Sequence, residues 1–361
     1  MIHPMGFSEI EQVNAIIGLS IKNLGRWPST LADLGYALDR IELEFSVPDP
    51  NRAGKTIIVN PDLLFVQDER NFSLIAELKS GKFQDFVQLD RFVAVTSVDL
   101  VRYASLPIAS TAIAKHQIGV IQFVNGEHAD GYLTEFQNIK HKACLVSIAD
   151  EAIKISYGSV TDSNLHKEFE QGVSLTGCRI PTNLVPVLPT TNDKFELVKS
   201  VVLAVSSLWA SSARTVTPEQ VAIDQYGRLW ECFDRKAKNR YLDVAKETLR
   251  DMQRTEFNQY LRPVPSDAPK WTLLGVPHTI SPKQLTKKLQ QFKNTIDTYK
   301  WRVGQGRPYK GYNPSQTSIE DIEGIFESRL QEKKKKRSKK IKKSDVTGPP
   351  SSNVPDNPLD G

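Results

Sequence analysis

The stretch from Asn60 to Phe92 constrains the fold more than any other part of the chain. Leu63 to Val66 and Phe72 to Leu78 are apolar runs of strand length, parted by the polar break Gln67 to Asn71, which is the pattern of a β-hairpin. Asp62 opens the first run, and Glu77 and Lys79 close the second. Side chains on a strand alternate, so Glu77 and Lys79 point to one face while Ala76 and Leu78 point to the other. Two acids and an ammonium group therefore gather at one end of the hairpin.

Charge at the end of an otherwise buried strand is costly without a partner, and a divalent cation held by both carboxylates would supply one. Such a cation can activate water and offset charge on phosphoryl oxygens, while a neighbouring lysine orients the nucleophile or steadies developing charge. At these residues the chain resembles the PD-(D/E)xK nuclease superfamily. Pro61-Asp62 looks like the first half of the motif and Glu77-Leu78-Lys79 the second, 15 residues on. Lys79-Ser80-Gly81, followed by Gln88-Leu89 and Phe92, is similar to the RecB-type branch, in which a glutamine on the next helix approaches the site. The interval from Lys79 to Gln88 is short for that branch, which keeps Gln84 as a substitute.

The resemblance spans residues 1 to 125 and implies a restriction-endonuclease-like core with a hydrolytic site. Asp62, Glu77 and the carbonyl of Leu78 would bind Mg²⁺ or Mn²⁺, Lys79 would position the attacking water, and Gln88 would contact water or phosphate. A glutamate on a helix ahead of the hairpin often completes such sites; Glu42 is favoured, with Glu44, Glu9 and Glu11 as alternatives. The bland reading of the same residues is an ordinary hairpin whose exposed end carries Asp, Glu and Lys.

Local signals agree with this core. Ile10, Val13, Ile16, Ile17 and Ile21 follow a helical period behind a Ser8/Glu11 capping box, and Leu31, Leu34, Leu38 and Ile41 predict a second helix after Ser29. A strand follows at Thr56 to Val59. Beyond the hairpin, Phe83 to Val95 reads as a helix, with a further helical segment near Ser105 to His116. Ile118 to Val124 is a continuous apolar run that suits a buried strand parallel to its neighbour. Ala143 to Ile148 and Ala152 to Tyr157 read as two more strands.

Other chemistries fit poorly. Asp49 to Thr56 resembles a phosphate-binding P-loop, but Asp49 stands where the first glycine is required. Three scattered cysteines argue against a disulfide framework or structural zinc and for a reducing compartment, and the six scattered histidines show no ligand spacing. No Gly-x-Ser-x-Gly elbow, secretory leader or run of membrane-spanning length is present. A cytoplasmic location is expected, or a nuclear one if the source has a nucleus.

The formal charge of +5 is unevenly spread: nine basic residues stand between Lys333 and Lys343 with no acid among them. A segment so poor in apolar groups is expected to be disordered and to tether polyanions, or simply to solubilise the chain. From Lys194 onward the period is helical, and Thr217-Pro218 and Ser281-Pro282 are strong helix starts. Short helices with basic Arg235, Lys236, Lys238 and Arg240 suit either a helical bundle or a helix-turn-helix or winged-helix DNA reader. Lys283 to Lys310 interleaves basic residues with Phe292, Tyr299, Trp301 and Tyr309, as nucleic acid binding would require, or as an amphipathic helix with core aromatics would.

The fold expectation is thus α/β: a mixed sheet flanked by helices over residues 1–160, a connector over 161–193, a mostly helical and nucleic-acid-binding region over 194–332, and a tail over 333–361. The functional expectation is a metal-dependent deoxyribonuclease acting on DNA, with RNA sharing all the same residues. A homodimer, or a partner protein from a DNA-processing or defence system, fits that expectation, and a membrane does not. The alternative is a non-catalytic nucleic-acid-binding or assembly protein on a nuclease-like scaffold.

Overall fold

The computed structural model describes residues 7–49, 54–82, 85–266, 268–277 and 282–304. Gln84, the Ser281 cap, Tyr309, the helix expected from Ser318 and the basic tail lie outside the described residues. Helix α1 (Glu9–Leu19) begins where Ser8 and Glu11 close their capping box, and every residue from Gln12 to Leu19 is buried. The second helix is shorter than its apolar spacing predicts. α2 (Thr30–Asp33) is a single turn, and Leu38 and Ile41 belong to strand β1 (Ala37–Ile41). Gly35, at a φ of +81°, turns the chain out of the helix. A spacing of three residues fits either structure, and pairing with the hairpin decides for the strand.

Strands β2 (Phe45–Pro48) and β3 (Thr56–Val59) form a separate antiparallel ribbon. β4 (Leu63–Gln67) and β5 (Phe72–Lys79) form the expected hairpin, in register from Leu63 opposite Ala76 to Gln67 opposite Phe72. Helix α3 (Phe86–Ala94) starts on an Asp85 cap and α4 (Ser97–Tyr103) on a Thr96/Asp99 capping box. Most of the segment from Ser105 to His116, expected to be helical, is irregular and ends in a single 3₁₀ turn, Ile113–Lys115. β6 (Gln117–Asn125) runs parallel to β5, as its unbroken apolar run suggests. Then come α5 (Ala129–Ile139), β7 (Cys144–Ile148), β8 (Ala152–Tyr157), α6 (Ser163–Gln171) and β9 (Val173–Ser174).

These strands make one mixed seven-stranded sheet in the order β1-β4-β5-β6-β7-β8-β9. The three parallel strands β5, β6 and β7 are central, and antiparallel strands flank them on both sides. The segment read as a connector supplies α6 and the sheet's last strand, then the proline-rich passage to residue 193.

Alternation on β5 sorts the two faces. Leu74, Ala76 and Leu78 join Ile16 of α1 and Phe169 of α6 in one apolar cluster. Ile75 joins Leu89 and Phe92 of α3, Leu100 of α4 and Phe136 of α5 in the other. Helices therefore cover both faces, and Glu77 and Lys79 point to the side of α3 and α5.

The C-terminal part comprises α7 (Lys194–Ala210), β10 (Thr215–Val216), α8 (Pro218–Tyr226), α9 (Arg235–Arg254), β11 (Leu261–Pro263), β12 (Trp271–Leu273) and α10 (Pro282–Gly304). α7 buries Phe195, Val198, Val201, Val202 and Val205, the stripe its period predicts, and Thr217 caps α8. A small antiparallel sheet of order β10-β12-β11 lies among these helices, so this part is not a purely helical bundle. Its core is continuous with that of α1 and the large sheet, and Phe233 bridges to Ile41 at the end of β1. Among the described residues, no helix is long and apolar enough to cross a membrane.

Candidate active site

The hairpin register places Asp62, Glu77 and Lys79 at one end of the sheet. Leu63 pairs with Ala76, so Asp62, just before β4, lies level with the last residues of β5. The Leu78 amide donates to Asp62 Oδ2 at 2.7 Å, and Lys79 Nζ stands 2.6 Å from Glu77 Oε1. The N–H and C=O of one strand residue face the same neighbouring strand, so the Leu78 carbonyl is directed to the Asp62 side as well. This is also the carboxyl end of parallel strands β5, β6 and β7, where open α/β sheets commonly place their ligands.

Glu42 arrives by a different route from the one expected. It sits in the bend after β1, at a φ of +53°, rather than on a helix. Its amide donates to the Asp62 carbonyl at 2.8 Å, and its Oε1 accepts from the Thr190 hydroxyl. Of the alternatives, Glu9 at the start of α1 is near enough for its charge to act on both Glu42 and Asp62. Glu11 is engaged in the Ser8 capping box and Glu44 is ion-paired with Lys236 at 2.7 Å, so both have other employment. Gln88 is on α3, where its side-chain nitrogen lies 3.4 Å from the Asn60 carbonyl, at the rim of the site. No contact joins it to Asp62, Glu77 or Lys79 among the described residues.

Side chains that the motif does not name complete the surroundings. Buried Gln12 of α1 donates to the Lys79 carbonyl at 3.2 Å and to Asn125 Oδ1 at 2.7 Å. Asn125, at the end of β6, donates in turn to the carbonyls of Phe7 and Ser80. The Tyr132 hydroxyl of α5 donates to the Gly81 carbonyl at 2.8 Å. This net fixes the chain on either side of Lys79. Only the buried amide side chains inside an otherwise apolar helix and strand hint at it in the sequence, because their partners are up to 118 residues away.

The electrostatics are those of crowded carboxylates. Burial raises the Glu42 carboxyl from its ordinary 4.5 to about 8, with the Asp62 charge adding to the effect. Burial likewise raises Asp62, against the pull of the Leu78 amide and the Lys79 charge. Glu77, 3% exposed, is raised by burial and then by Asp62. For Lys79 burial favours the neutral amine, but the Glu77 carboxylate outweighs it and keeps the ammonium charged.

Oε2 of Glu77 and Oε2 of Glu42 are buried without a hydrogen-bond donor. Two carboxyl groups as close as Asp62 and Glu77 can settle together only by sharing a proton or a cation. Among the described residues no three His, Cys, Asp or Glu side chains are grouped as a ready metal cage. Even so, the donor set fits a hard cation: oxygen ligands only, with carboxylate oxygens left unsatisfied.

A family model, the MJECL32 domain, matches residues 8–171. That span is similar to the MJECL32 domain and contains Glu9, Glu42, Asp62, Glu77 and Lys79, while Thr190 lies beyond it. No curated protein and no solved structure matches the chain.

Proposed function

We propose that the chain is a metal-dependent nuclease that hydrolyses DNA phosphodiester bonds, on a core of restriction-endonuclease-like design. The observation that carries this reading is the juxtaposition of Asp62, Glu77 and Lys79 at the carboxyl end of the parallel strands, with buried carboxylate oxygens lacking donors. The succession of α1, β1, the β4–β5 hairpin, α3 and parallel β6 is the order such a core requires, with the β2–β3 ribbon as an insertion.

Asp62, Glu77 and the Leu78 carbonyl would hold Mg²⁺ or Mn²⁺, with Glu42 beside them. When bound, the ion would lower the pKa of a water molecule and offset phosphoryl charge. Lys79, kept protonated by Glu77, would hold the nucleophile or a non-bridging oxygen in place, and Gln12 and Asn125 would fix the backbone that carries Lys79. Gln88 would meet substrate at the rim. Purified protein incubated with supercoiled, linear and single-stranded DNA, and with RNA, with and without Mg²⁺ or Mn²⁺, tests the reading. Ion-dependent scission that disappears in Asp62→Ala is the expected result.

The alternative is a non-catalytic nucleic-acid-binding protein on the same scaffold, and the Lys79–Glu77 pair and the Thr190 cap on Glu42 favour it by closing the carboxylates off. DNA binding indifferent to divalent ions, without scission under any of them, would decide for that alternative.

A further inference from the structure

The C-terminal part does not merely abut the candidate site. Thr190, whose hydroxyl donates to Glu42, is followed by Thr191, whose carbonyl accepts from Arg240 Nη2 at 2.6 Å. The start of α9 is pinned to the same place, because the Asp234 amide donates to the Ile41 carbonyl at 3.1 Å, one residue before Glu42. Arg240 is thus carried to the rim of the carboxylates by a helix whose Lys236 is bonded to Glu44, 192 residues away in the sequence.

How Arg240 is held is informative. It is exposed, its acceptor is a neutral carbonyl, and among the described residues no carboxylate lies within ion-pair distance of it. Its charge nevertheless reaches Glu42. An arginine kept for stability would close on the nearby carboxylate; one that stays open beside a cluster of acids keeps its planar fork for another anion.

The arrangement of this region agrees. Helix, strand, helix, helix, strand, strand with sheet order β10-β12-β11 is the plan of a winged helix-turn-helix, in which the helix corresponding to α9 faces nucleic acid.

We propose that Arg240 binds a phosphate of the DNA strand presented to Asp62, Glu77 and Lys79, so that the site is shared between the sheet and the C-terminal helices. The proposal rests on the nuclease reading for the identity of the strand, but its test is separate. Arg240→Gln is made in the full chain in a Lys79→Ala background, where both carboxylates remain and binding is read without scission. Binding of a fluorescein-labelled duplex is followed by anisotropy over a range of salt concentrations.

Arg240→Gln is expected to weaken binding about 10-fold and to make the plot of log K against log salt shallower by about one unit. Arg240→Lys, which keeps the charge and loses the fork, should fall in between. The rise in melting temperature caused by Mn²⁺ alone should be the same in all three chains, and melting curves establish that each is folded. Unchanged affinity and salt slope in Arg240→Gln would overturn the proposal, as would absence of DNA binding by the Lys79→Ala chain. Weakened binding by Arg240→Gln together with a wild-type chain that never cleaves would sustain the phosphate contact and sink the nuclease reading instead.

Discussion

At the turn end of the β4–β5 hairpin, buried Asp162 accepts from the Tyr36 hydroxyl at 2.9 Å, from Arg70 Nη1 at 3.0 Å and from the Asn164 amide at 3.0 Å. At the open end, Asp62, Glu77 and Glu42 crowd together with one lysine, and two of their oxygens have no donor. The two ends of one hairpin therefore face different company: at the turn, the satisfied Asp162 at the start of α6; at the open end, the unsatisfied cluster. A buried carboxylate with a full set of donors is explained by the fold it ties together; one without them costs stability and points to something the fold is built to hold. The contrast separates structural charge from functional charge more sharply than the motif does.

The most decisive way to break this comparison is to remove one carboxylate from each end. Asp62→Ala, and Lys79→Ala beside it, should lower cleavage by roughly a thousand-fold or more, within the range expected for losing a site's principal electrostatic group. Asp62→Ala should change the melting temperature little, because relief of the repulsion from Glu77 offsets the acceptor lost to the Leu78 amide. Asp162→Ala should do the reverse: cost on the order of 3 kcal/mol by stranding the buried Tyr36 hydroxyl and Arg70, while the folded fraction keeps its specific activity. Denaturation curves and initial rates on the two variants check both halves. If Asp62→Ala unfolds the chain and Asp162→Ala does not, the assignment of the two ends is inverted.

A pH series sharpens the same point. Glu42 has a folded value of about 8 against an ordinary 4.5. With the folded value raised, the protonated group favours the native state, so its contribution is complete below about pH 4.5 and is lost as pH rises through about 8. Without divalent ions, the melting temperature should therefore fall across that window, and more steeply in the wild type than in Glu42→Gln. Added Mn²⁺ competes with protons for the same oxygens, so the stabilisation it brings should grow over the same pH range. A cation effect independent of pH would mean that the ion sits elsewhere. At pH 8 in the absence of ions, Glu42→Gln itself should melt above the wild type, while losing part of the Mn²⁺ response.

The hairpin end was legible because period-two alternation is local: knowing that Phe72 to Leu78 is a strand is enough to put Glu77 and Lys79 on one face. The Ser8 cap, the Thr217 start and the parallel strand β6 were legible for the same reason. Glu42 stands beside Asp62 but in a bend after a strand, not on a helix, because Leu38 and Ile41 suit a helix and a strand alike until β4 pairs with them. Thr190 and Arg240 were out of reach. Their roles arise from packing across 148 and 49 residues of sequence, to Glu42 and to Thr191 respectively, and neither belongs to a motif. A sequence shows where a charge stands on its own element and is silent on which distant element closes over it.

Gln88 is where the motif and the geometry pull furthest apart, and its effect should be the smallest. The resemblance would bring its side chain to water or phosphate within the site, yet it lies 3.4 Å from the Asn60 carbonyl, outside the carboxylate cluster. From that position it can steady the Asn60-Pro61 segment that presents Asp62, or meet substrate as it enters, but it cannot ligate the ion. Gln88→Ala should accordingly leave the Mn²⁺-induced rise in melting temperature intact and reduce kcat/KM by about 3- to 10-fold, the loss of one neutral hydrogen bond. A fall of a thousand-fold, or loss of the Mn²⁺ effect, would show that α3 swings inward when substrate binds and that Gln88 belongs with Asp62 and Glu77.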